Sequence, residues 1–151
     1  MYLTINISDF DIKYIYYHKK INNIIIKNSD FIRLCYSNNS INLNGIYLNF
    51  KLNNINLFNT ICNIEDNILN SIKINNYTKY YSLNKKIKNL VNNNDIKIIY
   101  NISHNKLNNN QIINNVQNNV YNNDYILKIS GIWLNDFKYG LIFKIYRIIN
   151  I

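Results

Sequence analysis

Around residue 130 the chain reads Tyr125-Ile-Leu-Lys-Ile-Ser-Gly-Ile-Trp133, then Leu134-Asn-Asp-Phe-Lys138, then Tyr139-Gly-Leu-Ile-Phe-Lys-Ile-Tyr-Arg147. Two runs rich in β-branched and aromatic residues flank a short polar segment, a pattern typical of an antiparallel hairpin. The segment holds the only Trp of the chain and two of its three Gly residues. Its residue choices therefore depart most from the Asn, Ile, Lys and Tyr that dominate elsewhere.

Alternation along these two strands predicts which side chains share a face. Lys128 and Lys144 fall opposite the more apolar set of their strands, and Tyr146 shares the face of Lys144. Gly131 and Trp133 fall within the apolar set of the first strand. We interpret Trp133 as a residue that packs in the core or on the hairpin, with a platform for stacking ligands as the alternative.

Composition limits the class of protein. The 151 residues suit one domain, residues 1–151, and they include no Pro and no Ala. Asn, Ile, Lys, Tyr and Phe have A/T-rich codons, so the bias indicates an AT-rich genome. The formal net charge of +9 favours polyanionic partners, either nucleic acid or an anionic membrane surface. Codon bias toward Lys is the alternative explanation of that charge.

Upstream of the hairpin, alternating or apolar runs predict further strands. Gly45 interrupts one of these runs, as at a bulge or a close backbone approach. In that run Tyr47 and Lys51 share one face, and the opposite face is the better core face. The predicted strands are Tyr2–Ile7, Asp11–Tyr17, Ile24–Lys27, Phe31–Tyr36, Ile41–Lys51 and Asp95–Tyr100, with turns at residues 21–23 and 37–40.

Two stripes of apolar residues at three- and four-residue steps predict helices. The first comprises Ile61, Ile64, Ile68, Leu69 and Ile72, and the second comprises Leu83, Ile87, Leu90 and Val91, with Ser82 as N-cap. Glu65 and Asp66 are interpreted as a charge pair early in the first helix. The Asn-rich segment Asn101–Asn123 is either a loop or a weak helix. The chain is thus predicted to be α+β, with an antiparallel sheet or OB-like barrel and two to three short helices.

No catalytic or metal-binding motif is present. His18 and His104 lack a patterned carboxylate or nucleophile, and Cys35 and Cys62 lack ligand spacing and are interpreted as buried inert thiols. Met1 leads into a strand-like run without a basic leader, and no apolar run reaches the length of a membrane span. We therefore expect a non-enzymatic protein without cofactor or metal, not secreted and not in a membrane, in a reducing compartment.

Basic residues interleaved with aromatic residues are the remaining functional signal. Proteins that bind single strands combine a positive groove for phosphates with aromatic faces for bases. The candidates are Lys51, Lys128, Lys144 and Arg147 for phosphates, and Tyr47 and Tyr146 for stacking. The alternative is a solvated sheet face whose Lys residues prevent aggregation at strand edges.

A resemblance adds to these patterns. Leu127-Lys-Ile-Ser-Gly-Ile-Trp133, followed by Tyr139-Gly140 and Phe143-Lys144, resembles the closing segment of a small protein family of nucleocytoplasmic large DNA viruses and AT-rich insect viruses. A second similar block is Tyr36-Ser37 with Leu43-Asn-Gly-Ile-Tyr47, a weaker third is Ile64-Glu65 with Ile68-Leu69, and a fourth is Ile96-Lys97-Ile98. The resemblance implies a replication-associated protein of single-stranded-DNA-binding type, located in the host cytoplasm or nucleus. The segment Asn101–Asn123 and the apolar Leu134 depart from it.

The sequence therefore favours a viral protein that binds single-stranded nucleic acid and meets other replication proteins, with homo-oligomerisation left open. A structural or assembly protein that forms oligomers through strand edges and apolar patches is the main alternative. An organellar ribosomal protein is a third hypothesis, disfavoured because the chain has no long basic tail.

Overall fold

A computed structural model describes residues 4–22, 28–51, 56–72, 74–93, 100–103 and 124–149. The two helices are α1 (Leu57–Ser71) and α2 (Ser82–Asn93). The strands are β1 (Ile5–Asn6), β2 (Ile15–Tyr17), β3 (Ile21–Asn22), β4 (Ser29–Ser37), β5 (Asn42–Asn44), β6 (Ile46–Lys51), β7 (Thr78–Tyr80), β8 (Tyr100–Ser103), β9 (Asp124–Asn135) and β10 (Lys138–Ile149). The predicted α+β class, with a sheet and a few short helices, is confirmed.

The predicted hairpin forms the centre of the sheet. β9 pairs antiparallel with β10 along one side, while its other side pairs with β6 over residues 124–129 and with β4 over residues 131–135. β2, β3 and β5 add antiparallel to β4, whereas β1, β7 and β8 add parallel pairs at the periphery. Over the described residues the sheet is mixed and is not closed into a barrel.

Both helices pack on one face of this sheet, as their apolar stripes predict. In α1 the buried side chains include Ile61, Ile64 and Ile68, and in α2 they include Leu83 and Ile87. A single cluster of buried residues joins them to the strands. The Tyr139 hydroxyl donates to the Leu69 carbonyl oxygen at 3.1 Å, which ties β10 to the end of α1. No helix in the described part of the chain is long and apolar enough to cross a membrane.

Gly45 divides the strand predicted at Ile41–Lys51. The part before it, β5, pairs with β4, and the part after it, β6, pairs with β9. Gly45 has a φ of +102°, which a residue without Cβ adopts at little cost, so the chain changes partner at this point. On β6 the side chains of Ile46, Leu48 and Phe50 are buried, so the predicted core face is confirmed.

A bulge in β9 corrects the predicted faces of the hairpin. Gly131 faces Ile142 and Ile129 faces Phe143, so Ser130 has no residue opposite it on β10. One extra residue shifts the alternation, and the side chains beyond it exchange faces. Gly131 and Trp133 therefore lie on the face of Lys128, away from the helices, and not with the apolar set.

The first strands differ from prediction because side chains cap short 3-10 turns within them. Asn6 Oδ1 accepts the Ser8 N–H and Asp11 Oδ1 accepts the Lys13 N–H, which converts Ile7–Asp9 and Ile12–Tyr14 to 3-10 helix. Ile21–Asn22, predicted as part of a turn, forms β3. The predicted strand Ile24–Lys27 and residues 95–99 of the predicted strand Asp95–Tyr100 lie outside the described residues. In the segment Asn101–Asn123, residues 101–103 belong to β8 and are neither loop nor helix, because they pair with β10, and residues 104–123 lie outside the described residues.

Candidate functional site

The face of the sheet away from α1 and α2, called here the outer face, carries both basic and aromatic side chains. Alternation along each strand sends the apolar partners of these side chains toward the helices. The outer face comprises Phe31, Arg33 and Cys35 on β4, Tyr47 and Lys51 on β6, Tyr80 on β7, Lys128, Gly131 and Trp133 on β9, and Gly140, Ile142, Lys144 and Tyr146 on β10.

Three of the predicted site residues form a row across the middle of this face. Lys128 on β9 faces Lys144 on β10 on one side and Tyr47 on β6 on the other. Neighbouring strands lie about 4.8 Å apart, so the three side chains leave the sheet next to each other. Lys128 Nζ lies 5.6 Å from the centroid of the Tyr47 ring, within the range of a cation–π contact.

The charges of the two facing lysines, Lys128 and Lys144, repel each other across the two strands. Like charges directly opposite each other on neighbouring strands destabilise a sheet by roughly 0.2–1 kcal/mol. An anion bound between the two ammonium groups would remove this repulsion. The row of Lys144, Lys128 and Tyr47 thus combines an anion-binding pair with an aromatic ring that is partly exposed.

A second row on the outer face is aromatic. Trp133 lies between Tyr80, at 6.0 Å between ring centroids, and Phe31, its neighbour in the next strand. Both glycines of the hairpin lie under rings, because a Cβ on Gly140 would stand 3.0 Å from Trp133 and one on Gly131 would stand 2.4 Å from Phe31. Trp133 therefore packs on the hairpin, one of the two roles considered for it, while its ring keeps some exposure.

The other predicted site residues lie outside the first row. Tyr146 is half-buried on the outer face, two residues beyond Lys144. Lys51 is exposed at the end of β6, on the outer face four residues beyond Tyr47, and its ammonium lies 3.5 Å from the Asp124 carboxylate. Lys51 and Asp124 line a cavity of about 410 Å³. The other residues that line it are Asn6, Ile7, Ser8, Asn49, Phe50 and Leu57.

Arg147 does not belong to this surface. It is only 1 % exposed, because alternation along β10 places it on the helix side with Ile145. The expectation that its guanidinium contacts phosphates is therefore corrected. Arg33, which the sequence reasoning did not single out, is exposed on the outer face and faces Gly131. The alternation of Phe31, Arg33 and Cys35 in β4 is the signal that could have identified it.

A separate cluster surrounds Cys35 on the outer face. His18 Nε2 lies 2.9 Å from Cys35 Sγ, and the thiol can donate to Asn44 Oδ1 at 3.7 Å. The His18 backbone N–H donates to the Arg33 carbonyl oxygen at 2.9 Å, which holds the histidine beside β4. His18 is exposed, whereas Cys35, which was expected to be buried, is only half-buried and has a partner that sequence spacing did not reveal. In the described ranges no group of three or more His, Cys, Asp or Glu could hold a metal ion.

Glu65 has a structural role that differs from the prediction. It is completely buried in the middle of α1, and its carboxylate accepts the N–H groups of Leu83 at 2.9 Å and Asn84 at 3.1 Å. Burial raises the pKa of Glu65, the two N–H donors oppose that rise, and the charge of Asp66 adds to it. Asp66 instead accepts the Tyr81 hydroxyl at 2.7 Å. The pair therefore lies in the middle of α1 and not in its early part, where the sequence placed it.

The outer face can bind an anion at Lys128 and Lys144 and present rings to a flat ligand. Comparisons with protein-family models, with curated proteins and with solved structures give no match for this chain.

Proposed function

We propose that the outer face binds single-stranded nucleic acid. Lys128 and Lys144 contact phosphates, Tyr47 stacks on a base, and Arg33 extends the positive surface along β4. The observation that carries the proposal is the row of Lys144, Lys128 and Tyr47 across three adjacent strands. The net charge of +9 adds attraction for a polyanion at longer range.

An unpaired strand suits this surface better than a duplex. Bases in a duplex are stacked on each other, so a ring on a sheet cannot reach their faces, whereas unpaired bases stack on aromatic side chains. The partly exposed ring of Tyr47 offers such a face next to Lys128, and that of Trp133 offers another further along β9. The resemblance of the hairpin to viral proteins extends the proposal to a role in viral DNA replication, with other replication proteins as partners.

Fluorescence anisotropy with a labelled oligothymidylate, at low and rising salt, tests the phosphate contacts. Each phosphate contact with a single strand contributes a slope of about −0.7 to the dependence of log K on log salt, so Lys128→Gln/Lys144→Gln should reduce the slope by roughly 1.4. The matched control is Lys13→Gln/Lys88→Gln, which removes the same charge from two exposed residues outside the strands, although Lys13 also pairs with Asp11 at 3.4 Å. Equal loss in both double variants would show that only net charge matters.

Tyr47→Leu tests the stacking contact. Loss of one stacked base should weaken binding by roughly 1–3 kcal/mol and leave the salt slope unchanged. Phe58→Leu is the control, because Phe58 is an exposed ring on α1, away from the outer face. Absence of oligonucleotide binding at micromolar protein and low salt would refute the proposed function.

Exposed apolar residues favour one second candidate, an assembly protein. Tyr16 on β2 is 57 % exposed and Ile21 on β3 is 52 % exposed, and both strands lie beside β4 at the periphery of the sheet. Short strands with exposed apolar side chains can pair with another copy. This function predicts a defined oligomer in light scattering without nucleic acid, which Ile21→Lys would dissociate.

A further inference from the structure

The structure assigns Cys35 as a reactive thiol, activated by His18, that exchanges with low-molecular-weight disulfides. This inference does not depend on the proposed function. It rests on three observations: the distance of 2.9 Å between His18 Nε2 and Cys35 Sγ, the partial exposure of Cys35, and the exposed Arg33 on the same face of β4.

The geometry provides a place for the thiol proton. His18 Nε2 can accept it from Sγ, which leaves a thiolate that the imidazolium N–H then stabilises. Before the transfer, the S–H can instead donate a hydrogen bond to Asn44 Oδ1 at 3.7 Å, which holds the thiol in position. The thiolate is the nucleophilic form of cysteine, and His18 stands within hydrogen-bond distance to take the thiol proton when the sulfur reacts.

The surroundings of Cys35 also suit an anionic reagent. Arg33 stands two residues from Cys35 on the same face of β4, roughly 7 Å along the strand. Reactive cysteines are found in partly exposed, electropositive surroundings of this kind. A small disulfide that carries carboxylates, such as glutathione disulfide, has the charge that Arg33 attracts.

The exchange step balances without another reactant. The Cys35 thiolate attacks one sulfur of the small disulfide, a new S–S bond forms, and the original S–S bond breaks. The second sulfur leaves with the bonding electron pair as a thiolate and takes the proton from the imidazolium of His18. Cys35 is oxidised to a mixed disulfide, and half of the reagent is reduced to a thiol.

Cys62 serves as an internal control within each molecule. It is also half-buried, but burial and then the charge of Glu65 raise its pKa, so it should be the slower thiol. Iodoacetamide labelling at pH 7, resolved by peptide mass spectrometry, gives both rates at once. Cys35 should react roughly tenfold or more faster than Cys62. Glutathione disulfide should add one glutathionyl group, located at Cys35.

Two variants of His18 separate activation from access. His18→Ala removes the base and also uncovers the sulfur. If His18 activates the thiol, Cys35 should react more slowly in this variant. If His18 only shields the thiol, Cys35 should react faster. His18→Gln keeps a polar side chain of similar reach without the base. Both variants should slow Cys35 roughly fivefold or more, while the Cys62 rate, which reports on the fold, stays unchanged. An unchanged or faster Cys35 in either folded variant, or a wild-type Cys35 no faster than Cys62, overturns the assignment.

Discussion

The Glu65 carboxylate on α1 accepts the backbone N–H of Leu83, the second residue of α2, at 2.9 Å. It accepts the N–H of Asn84 with its other oxygen. The first N–H groups of a helix have no partner within the helix, so one buried side chain on α1 satisfies two of these donors on α2. This contact fixes where α2 begins relative to α1.

Glu65→Ala should lower the free energy of unfolding by about 2–4 kcal/mol, since it leaves two N–H groups without an acceptor and opens a cavity. Glu65→Gln keeps one acceptor oxygen and should cost less than Glu65→Ala. Urea denaturation measures both. Asn67→Ala, at an exposed position of the same helix, should change stability by no more than about 0.5 kcal/mol. Equal stability of the Ala variant and the wild type would contradict the capping role.

Stability should depend on the protonation of Glu65. Its pKa in the folded protein lies above the ordinary value of 4.5, so the folded state binds this proton more tightly than the unfolded state. The stability that the proton contributes is fully present below the ordinary value and is lost as pH rises through the raised pKa. As pH rises from the ordinary value to above the raised pKa, the free energy of unfolding of the wild type should therefore fall relative to that of Glu65→Gln. If the free energy of unfolding of the wild type instead rose relative to that of Glu65→Gln as pH rises, the N–H donors would lower the pKa of Glu65 by more than burial raises it.

Gly131→Ala should destabilise the protein by about 3 kcal/mol, at the upper end of the cost of overpacking. An added Cβ would stand 2.3 Å from the Ile32 carbonyl oxygen, which belongs to the backbone and cannot rotate away. Thermal unfolding measures the effect. Ser130→Ala, at the adjacent bulge position, is the control and should cost less than about 1 kcal/mol. A mild effect at Gly131 would show that β4 and β9 can move apart.

Lys144→Glu should separate stability from binding. The change replaces a like-charge pair across β9 and β10 with an opposite pair, so stability should stay level or rise by up to about 1 kcal/mol. Binding of an oligonucleotide should fall, because a phosphate site becomes repulsive. Lys88→Glu, the same change on exposed α2, should leave most of the binding intact. A loss of stability in Lys144→Glu would mean that Lys144 supports the fold.

The hairpin and both helices could be predicted because their signals are local. Apolar residues at period two or at three- and four-residue steps specify which faces must be buried, whatever they are buried against. The core faces of β6, α1 and α2 follow from this rule. The conformational freedom of Gly45 likewise marked the point where a predicted strand divides.

The candidate site could be predicted only in part. Lys128, Lys144 and Tyr47 were assigned to sheet faces by alternation, but their meeting in one row depends on β9 pairing with both β6 and β10. Arg147 was chosen for its charge, although its strand position places it with the buried set. The alternation of side chains predicts which basic residues are exposed better than charge alone does, because the face of the sheet on which a residue lies decides its burial.

The α+β class, the closing hairpin and the two amphipathic helices follow from patterns among neighbouring residues, and the positive charge follows from composition. The bulge at Ser130, the cap from Glu65 to α2 and the contact of His18 with Cys35 arise only in the folded protein. Each of these joins atoms through the register of strands or the packing of helices. Register and packing depend on the whole set of partners, which local patterns do not specify.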